Sequence, residues 1–472
     1  MAIKLTAGQQ KALDVFVRFC LDESQTANNR LVVAGYAGTG KTELVSNAMQ
    51  ACNQAAELKN NILVAAGKTA KEYPQFFLTA TTNKAAEALQ EATNANILEQ
   101  TTAIKRSNPL KLSDPLFNVP WMQPYNVTTI HSLLGIRPFK DHATNTDKIS
   151  DVTKPDFAKR PSILIIDEAS FIDETLLSKL NAGVHEYHKI VYVGDPAQLS
   201  PVKSSSTPVF DQKYLTVYLT EVVRQQPDNQ IINVSTAFRN KVNGEAFTPF
   251  NPDQNKVIHL DNKEFNATIL EEFGRKDYLE KDAKVLAWRN STVKQYNSLV
   301  KEHLTGHQEL KSGDYAVCNQ YFESKKKSVK TDAVVQITSI DGTWSENRFP
   351  AKIGKDSIGI DCYNVSFTCG NKSFSGLMPL NPVEYKQAIH DLAVSKIRGI
   401  HEWSSEFQKK FVDLRPMYAC TVNKSQGSTY KKVFIDLNDI GACRQSDQVN
   451  RMLYVSFSRA SDQVVLTGDI RT

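Results

Sequence analysis

The residues with the most specific chemistry form a glycine-rich loop near the N-terminus. They fit the pattern GxxxxGK[ST] and are Gly35, Tyr36, Ala37, Gly38, Thr39, Gly40, Lys41 and Thr42. In such a loop the backbone N–H groups wrap phosphates, the lysine offsets their charge, and the threonine hydroxyl is a ligand for Mg²⁺. An apolar run precedes the loop at 31–34 and a helical pattern follows it at 43–49. This context predicts a binding site for nucleotide phosphates and Mg²⁺.

A pair of carboxylates follows a later apolar run. The run at 163–166 leads directly into Asp167 and Glu168. In α/β sheets, ligands bind at the carboxyl ends of the strands, where this pair would lie. We expect Asp167 to hold Mg²⁺ through water and Glu168 to orient and deprotonate an attacking water.

Three further polar residues could act on a terminal phosphate. Gln198 lies in the segment 194–199, which again follows an apolar run, and its amide could sense a γ-phosphate. Arg224 and Arg459 could neutralise charge in the transition state. An arginine in that role contributes about 10³–10⁵ to turnover.

The elements that must position these residues alternate between strand and helix patterns. Short apolar runs with polar or turn residues on both sides occur at 31–34, 75–79, 162–166 and 190–193. Such runs suit strands that are buried on both faces of a parallel sheet, so the pattern predicts the α/β class. A second α/β region begins near Leu215, stops near Lys311 and resumes at Tyr418. Between them, 313–380 predicts antiparallel strands and 384–413 a charged helical segment.

Composition excludes several classes of protein. The chain has 472 residues, a formal net charge of +5 and 41% hydrophobic residues, which is ordinary for a soluble protein. No apolar run approaches the roughly 20 residues that span a bilayer. The seven cysteines form no CxxC pair, which favours a reducing compartment. His185 and His188 fall on a predicted helix without a third ligand, so we interpret them as surface residues and expect no structural metal.

In this order, the segments resemble those of the superfamily 1 helicases, most closely the Dda-type phage helicases and their RecD-like relatives. The resemblance covers nearly the whole chain and adds the segments 5–9, 79–86, 129–134 and 421–427. It implies two recA-like P-loop cores that sandwich ATP, with Gln9 reading the adenine. Both Arg224 and Arg459 would come from the second core.

The resemblance also implies a DNA strand that runs across both cores. The expected contacts to it are Thr82, Asn83, His131, Thr421 and Lys424. Family members commonly have Pro-Thr-His where this chain has Thr81-Thr82-Asn83, and Thr-x-His-Lys where it has Thr421-Val422-Asn423-Lys424. Asparagine keeps a donor and an acceptor and can still contact a phosphate, but it cannot supply coupling that depends on histidine.

The α/β regions, the inserted segments and the resemblance together predict the domains of the chain. The first core is 1–212, the second core is 213–312 with 415–472, and an inserted SH3-like β-barrel with a helical arm is 313–414. A short insertion, 136–160, is expected to be a strand-separating wedge hairpin. Phe139 and Ile149 are the candidates for its apolar tip.

The sequence therefore predicts an ATP-dependent DNA helicase with Mg²⁺ as cofactor. The short first-core insertion and the β-type second insertion resemble those of the Dda and RecD-like group, and the resemblance implies movement in the 5′→3′ direction. We expect a cytoplasmic monomer without membrane contact, acting on single-stranded and forked DNA in phage replication, recombination or repair. A single-strand-binding or other replisome protein is a candidate partner. Two alternatives stay open: an RNA-directed helicase of the same superfamily, and a non-unwinding, ATP-switched replisome adaptor.

Overall fold

The chain folds around two parallel sheets and one antiparallel sheet. The computed structural model describes residues 5–22, 29–71, 75–107, 126–141, 146–201, 207–221, 229–324, 327–347, 359–394 and 407–469. None of the helices in these ranges is both long and apolar enough to cross a membrane.

Helices and strands alternate along much of the chain, and consecutive strands concentrate in the inserted region. As far as Leu219 the elements are α1 (Ala7–Leu21), β1 (Arg30–Gly35), α2 (Lys41–Ala65), β2 (Gln75–Ala80), α3 (Asn83–Ser107), β3 (Thr128–Thr129), α4 (Ile130–Leu134), β4 (Pro138–Asp141), β5 (Thr146–Ile149), β6 (Ser162–Asp167), α5 (Glu174–Gly183), β7 (Lys189–Gly194) and β8 (Leu215–Leu219). After it they are α6 (Gln230–Val242), β9 (Val257–Leu260), α7 (Asn262–Phe273), β10 (Ala283–Ala287), α8 (Asn290–Thr305), β11 (Tyr315–Cys318), β12 (Phe322–Ser324), β13 (Lys327–Val329), β14 (Val334–Asn347), β15 (Gly359–Cys369), β16 (Lys372–Pro379), α9 (Pro382–Val394), β17 (Leu414–Arg415), β18 (Ala419–Thr421), α10 (Val422–Ser425), β19 (Tyr430–Asp436), α11 (Leu437–Gly441), α12 (Ser446–Ser458) and β20 (Ala460–Thr467).

The first sheet has six parallel strands in the order β3-β2-β6-β7-β1-β8. Apolar clusters cover both of its faces, and β1, β6 and β7 are buried almost throughout. Central strands covered on both faces must be apolar along their whole length. Because the strands are parallel, their carboxyl ends share one edge, which carries the phosphate loop and the residues that follow β2, β6 and β7.

The strand β8 corrects the predicted boundary between the cores. The predicted second core begins at 213 and would include β8, but β8 pairs in parallel with β1, with Leu215 opposite Leu31. The first sheet therefore extends to Leu219. Local hydrophobicity identifies a strand but does not say which sheet the strand will join. The sequence therefore assigned the residues of β8 to the second core, whereas they belong to the first sheet.

The second sheet has five parallel strands in the order β18-β10-β19-β20-β9. Apolar clusters again cover both faces, one of them centred on α6 and α12. The predicted α/β class with two parallel sheets is confirmed.

A buried carboxylate holds one end of the second sheet together. Asp439 on α11 accepts hydrogen bonds from the backbone N–H groups of Trp288 and Arg289 at 2.5 and 3.1 Å, from Arg289 Nε at 2.5 Å and from Thr292 Oγ1 at 2.7 Å. Its side chain is 1% exposed. Asp439 thus ties α11 to the turn between β10 and α8.

We expect Asp439→Ala to lower the free energy of unfolding by about 3 kcal/mol, because it leaves several buried donors without an acceptor. Urea denaturation measures this. Asp277→Ala is the matched control, since that carboxylate is 82% exposed in its pair with Arg275 and should cost less than about 1 kcal/mol. Equal losses in the two variants would contradict the role of Asp439.

The inserted region forms an antiparallel sheet in the order β16-β15-β14-β11-β17. We call it the accessory sheet. The helix α9 covers one end of it through Ala388, near Phe407 and Phe411. Antiparallel pairing in this region agrees with the predicted turns, and closure into an SH3-like barrel stays a prediction.

The hairpin of β4 and β5 corresponds to the predicted wedge. Pro138 pairs with Ile149 and Phe139 with Lys148, so both wedge candidates lie at the base of the hairpin rather than at its tip. Ile149 packs against an apolar cluster of the first core. The tip, 142–145, lies outside the described residues, and a wedge function stays a prediction.

The interpretation of His188 as a surface residue is wrong. His185 and His188 lie in a turn before β7 rather than on a helix. The His188 ring is fully buried, stacked at 4.3 Å on Phe157 and 4.2 Å from the ring of Tyr187. Burial lowers the pKa of His188, and its ring packs between the two aromatic side chains.

Candidate nucleotide and nucleic-acid site

The phosphate loop connects β1 to α2 at the carboxyl edge of the first sheet. Gly40 has φ +77°, and a Cβ there would stand 2.7 Å from Gln9 Nε2, so the position requires glycine. Lys41 Nζ donates to the carbonyl oxygens of Gly35 at 2.7 Å and Tyr36 at 3.1 Å. The ammonium group therefore lies over the loop, where a phosphate would be held.

Gln9 contacts the same loop. Its Nε2 donates to the Thr39 carbonyl at 3.0 Å, and its Oε1 accepts from the Thr6 N–H at 3.0 Å as part of the N-terminal cap of α1. The side chain is buried. Gln9 is thus positioned beside the phosphate loop, and its reading of adenine stays a prediction.

The acidic pair lies at the carboxyl end of β6, where Lys41 of the loop acts electrostatically on both carboxyl groups. Asp167 Oδ1 accepts from the Glu168 N–H at 2.8 Å, and Glu168 has φ +53°, a left-handed conformation that costs of order 1 kcal/mol for a residue of this type. Its Oε2 is buried and has no partner among the described residues. A strained, buried carboxylate with a free oxygen is typical of a functional site.

The electrostatics of this pair are set by burial. Burial, followed by the charge of Asp167, raises the pKa of Glu168 to about 7, while Lys41 and Arg459 act in the opposite direction. Burial also raises the pKa of Asp167, against the Glu168 N–H and Lys41. Glu168 can therefore exchange a proton near neutral pH, as a general base requires.

Tyr454 links the two cores at the phosphate loop, and sequence reasoning missed its role. Its hydroxyl donates to Asp195 Oδ2 at 2.5 Å and accepts from the Ala37 N–H at 2.8 Å. Tyr454 lies on α12 in the second core, whereas Asp195 and Ala37 belong to the first. The Tyr454 hydroxyl, Asp195 Oδ2 and the Ala37 N–H meet where the segment 194–199 approaches the phosphate loop.

Arg451 and Gln426 complete this junction. Arg451 donates to the carbonyl oxygens of Pro196 at 2.8 Å and Gln198 at 2.7 Å. Gln426 Nε2 donates to Gln198 Oε1 at 3.1 Å. Predicted residue Gln198 is thus buried between the cores. Positions 451, 454 and 458 are three and four residues apart and so share one face of α12. This spacing was the available sequence signal that the residues act together.

The two predicted arginines have different outcomes. Arg459 is buried at the end of α12 and donates to the Ser428 carbonyl at 3.2 Å and to Ser458 Oγ at 2.9 Å. Burial lowers its pKa and the nearby Glu168 opposes that change. Arg224 lies outside the described residues. A further arginine that the sequence did not indicate, Arg239, stacks on the Tyr36 ring at 4.0 Å.

The predicted DNA contacts lie on both cores. Thr82 Oγ1 caps the start of α3 through the Ala85 N–H, and Asn83 is the first residue of that helix. Thr421 Oγ1 accepts from the Lys424 N–H at 3.4 Å and caps α10. The first turn of α3 adjoins the residues that follow α10, because a Cβ on Gly427 would be 3.7 Å from Ala85 Cβ.

His131 lies on α4, at the same carboxyl edge of the first sheet. It is half-buried, and burial lowers its pKa while Asp173 opposes that change. Its assignment to DNA stays a prediction.

The fold and the loop together define a P-loop protein with two α/β cores. Residues 4–261, more than half of the chain, match the model of the AAA domain, and 416–467 match the UvrD-like helicase C-terminal domain. The chain therefore belongs to the superfamily 1 helicases, in the group that contains RecD and Dda.

Individual relatives agree with this. The chain is 23% identical to the uncharacterized protein R530 of Acanthamoeba polyphaga mimivirus, over 93% of this chain and 96% of that protein. It is 30% identical to the RecBCD enzyme subunit RecD of Buchnera aphidicola, over 44% of this chain and 29% of that protein. It is 25% identical to the ATP-dependent DNA helicase dda of Enterobacteria phage T4, over 64% of this chain and 57% of that protein. The match to RecD thus spans less than a third of that subunit.

Solved structures give a weaker likeness. The Pif1 helicase from Bacteroides in complex with ADP-AlF3 and ssDNA aligns with a TM-score of 0.48 at 15% identity, over 100% of this chain and 94% of that one.

Proposed function

We propose that this protein is an ATP-dependent DNA helicase that moves along single-stranded DNA and unwinds duplex, in phage replication, recombination or repair. The observation that carries the proposal is that Lys41 of the first core and Arg459 of the second core both act electrostatically on the buried carboxylate of Glu168. Glu168 has the pKa of a general base, and Arg459 brings a cation from the opposite core. A cleft built from two cores can open and close as nucleotide binds and leaves.

The chain's own groups suit phosphates and a hard cation. Backbone N–H groups of the loop and Lys41 would bind the phosphates, and Thr42 with Asp167 would hold Mg²⁺, which when bound neutralises phosphate charge. Glu168 would take a proton from the attacking water. Gln198, Arg224 and Arg459 would respond to the terminal phosphate.

A closing cleft gives a way to move along a strand. Contacts on the first core (Thr82, Asn83, His131) and on the second (Thr421, Lys424) would hold successive phosphates. Gln198 is hydrogen-bonded to Gln426, which is five residues from Thr421. Movement of Gln198 on loss of the terminal phosphate would therefore reach the DNA contacts of the second core. Backbone contacts of this kind are independent of base sequence.

We expect unwinding of a duplex with a single 5′ tail and none of a duplex with a single 3′ tail. The basis is the short first-core insertion, 136–160, and the antiparallel accessory sheet in the second core, which resemble the 5′→3′ group. Strand separation at limiting enzyme concentration measures this. Efficient unwinding from the 3′ tail alone would contradict the polarity and spare the helicase proposal.

ATP hydrolysis with matched oligonucleotides controls that experiment. Hydrolysis should be slow alone and rise strongly with single-stranded DNA, since the strand would help to close the cleft. Stronger stimulation by RNA would favour the RNA-directed alternative. Hydrolysis that is indifferent to nucleic acid, with no unwinding, would favour the adaptor.

A further inference from the structure

Lys424 is a proposed DNA contact, and its ammonium group donates hydrogen bonds to two side chains in turns of the accessory sheet. Lys424 Nζ donates to Asp332 Oδ1 at 3.1 Å and to the side-chain oxygen of Asn319. Both acceptors lie in turns beside β11 and β14, outside the two cores. A carboxylate therefore occupies a place on Lys424 that a DNA phosphate could take.

The turn that carries Asp332 lies where the two cores meet. Lys330, two residues earlier, forms an ion pair of 3.0 Å with Glu87 on α3 of the first core. Asp332 reaches α10 of the second core. The turn thus bridges α3 and α10, and the proposed DNA contacts of the two cores other than His131 lie in or directly before these helices.

Several lysines and the carboxylate of Asp332 act electrostatically on the same thiol, that of Cys420. Burial raises the pKa of the Cys420 thiol, and the charges of three lysines on three elements, Lys284, Lys84 and Lys424, act to lower it. The charge of Asp332 raises the same pKa. Burial lowers the pKa of Lys284, and the charge of Lys84 acts in the same direction, whereas the charge of Asp332 raises it. Asp332 therefore adds a negative charge beside Lys424 and would repel a phosphate that approached this lysine.

The pair is held in place by the backbone and by a second side chain. Asp332 has φ +64°, and its N–H donates to the Cys318 carbonyl at 2.7 Å. Asn319 is oriented by Asp413, which accepts from Asn319 Nδ2 at 2.7 Å. Both partners of Lys424 are thus positioned before any nucleic acid arrives.

We propose that Asp332 mimics a DNA phosphate and competes with the strand for Lys424, so that the accessory sheet restrains DNA binding until this turn moves away. The inference rests on the proposed function and adds a regulatory contact to the proposed DNA site. The side chains of Lys424 and Asp332 are 38% and 23% exposed, so the pair is partly screened and a strand can displace it.

The test is the affinity for a fluorescent oligothymidylate. Asp332→Asn removes the charge and keeps the turn, because asparagine tolerates a positive φ as well as aspartate does. We expect binding about two- to fivefold tighter than wild type at low salt, the range of a partly exposed ion pair, with the gain fading as salt rises. Asp341→Asn makes the same charge change at an exposed position farther along β14 and should leave affinity unchanged.

A double substitution separates competition from general repulsion. In a Lys424→Ala background, Asp332→Asn should have little effect, because the contested cation is gone. Equal tightening in that background, equal tightening by Asp341→Asn, or no tightening in Asp332→Asn would each overturn the inference. A wild-type protein that binds no single-stranded DNA would instead refute the proposed function itself.

Discussion

Lys41→Ala should abolish ATP turnover while leaving single-stranded DNA binding nearly unchanged. The ammonium group lies over the loop carbonyls of Gly35 and Tyr36, where nucleotide phosphates would bind, whereas the proposed DNA contacts lie in or next to α3, α4 and α10. Loss of a preorganised phosphate contact costs about 10²–10³ in turnover, and the loss should be larger for a full charge. Steady-state ATPase and oligonucleotide binding measure the two effects.

Lys263→Ala is the matched control for that experiment. Lys263 is exposed on α7 of the second core, away from the phosphate loop, so its loss should change neither activity. Turnover at the wild-type rate in Lys41→Ala would refute the assignment of the phosphate loop. Loss of DNA binding together with ATPase would indicate that the loop supports the whole fold.

Glu168→Gln should hold ATP and fail to cleave it. Glutamine fits the same strained backbone and the same buried volume but cannot accept a proton, and general bases contribute about 10²–10⁴ to rate. ATP affinity should be kept or improved, since a buried carboxylate that faces phosphates is removed. Equilibrium nucleotide binding and single-turnover hydrolysis separate the two steps, and Glu174→Gln, on the exposed first turn of α5, is the control.

The pKa of Glu168 gives the same prediction a pH dependence. The base must be ionised to act, and burial raises its pKa to about 7 from the ordinary 4.5. In the free enzyme, kcat/KM for ATP should therefore fall about tenfold per pH unit below that value. A profile that stays level down to about pH 5 would match an ordinary, exposed glutamate and would contradict the role of Glu168, as would weaker nucleotide binding in Glu168→Gln.

Local patterns revealed the elements whose residues act alone or with their chain neighbours. The phosphate loop needs its glycines, lysine and threonine at fixed spacing, and β1, β6 and β7 need apolar side chains at every position because both faces are covered. Such requirements are written in consecutive residues. For the same reason the antiparallel pairing of 313–380 could be predicted from its short runs and turns.

Contacts between distant segments left no such signal. The hydrogen bonds of Tyr454 to Ala37 and Asp195 join residues more than 250 positions apart. Likewise, His188 is a polar residue in a turn, and its burial depends on Phe157 and Tyr187 closing over it. Side-chain identity alone allows either outcome in each case.

The amino-acid sequence by itself determined the α/β class, the phosphate loop, the acidic pair and the family to which the chain belongs. These follow from short-range stereochemistry and from the repeat of apolar residues along strands and helices. Only the tertiary structure decided that β8 joins the first sheet, that Asp332 lies against Lys424, and that Glu168 has a pKa near 7. The physical reason is that sheet membership, ion pairing and desolvation depend on which surfaces meet in space, and those surfaces come from segments far apart in the chain.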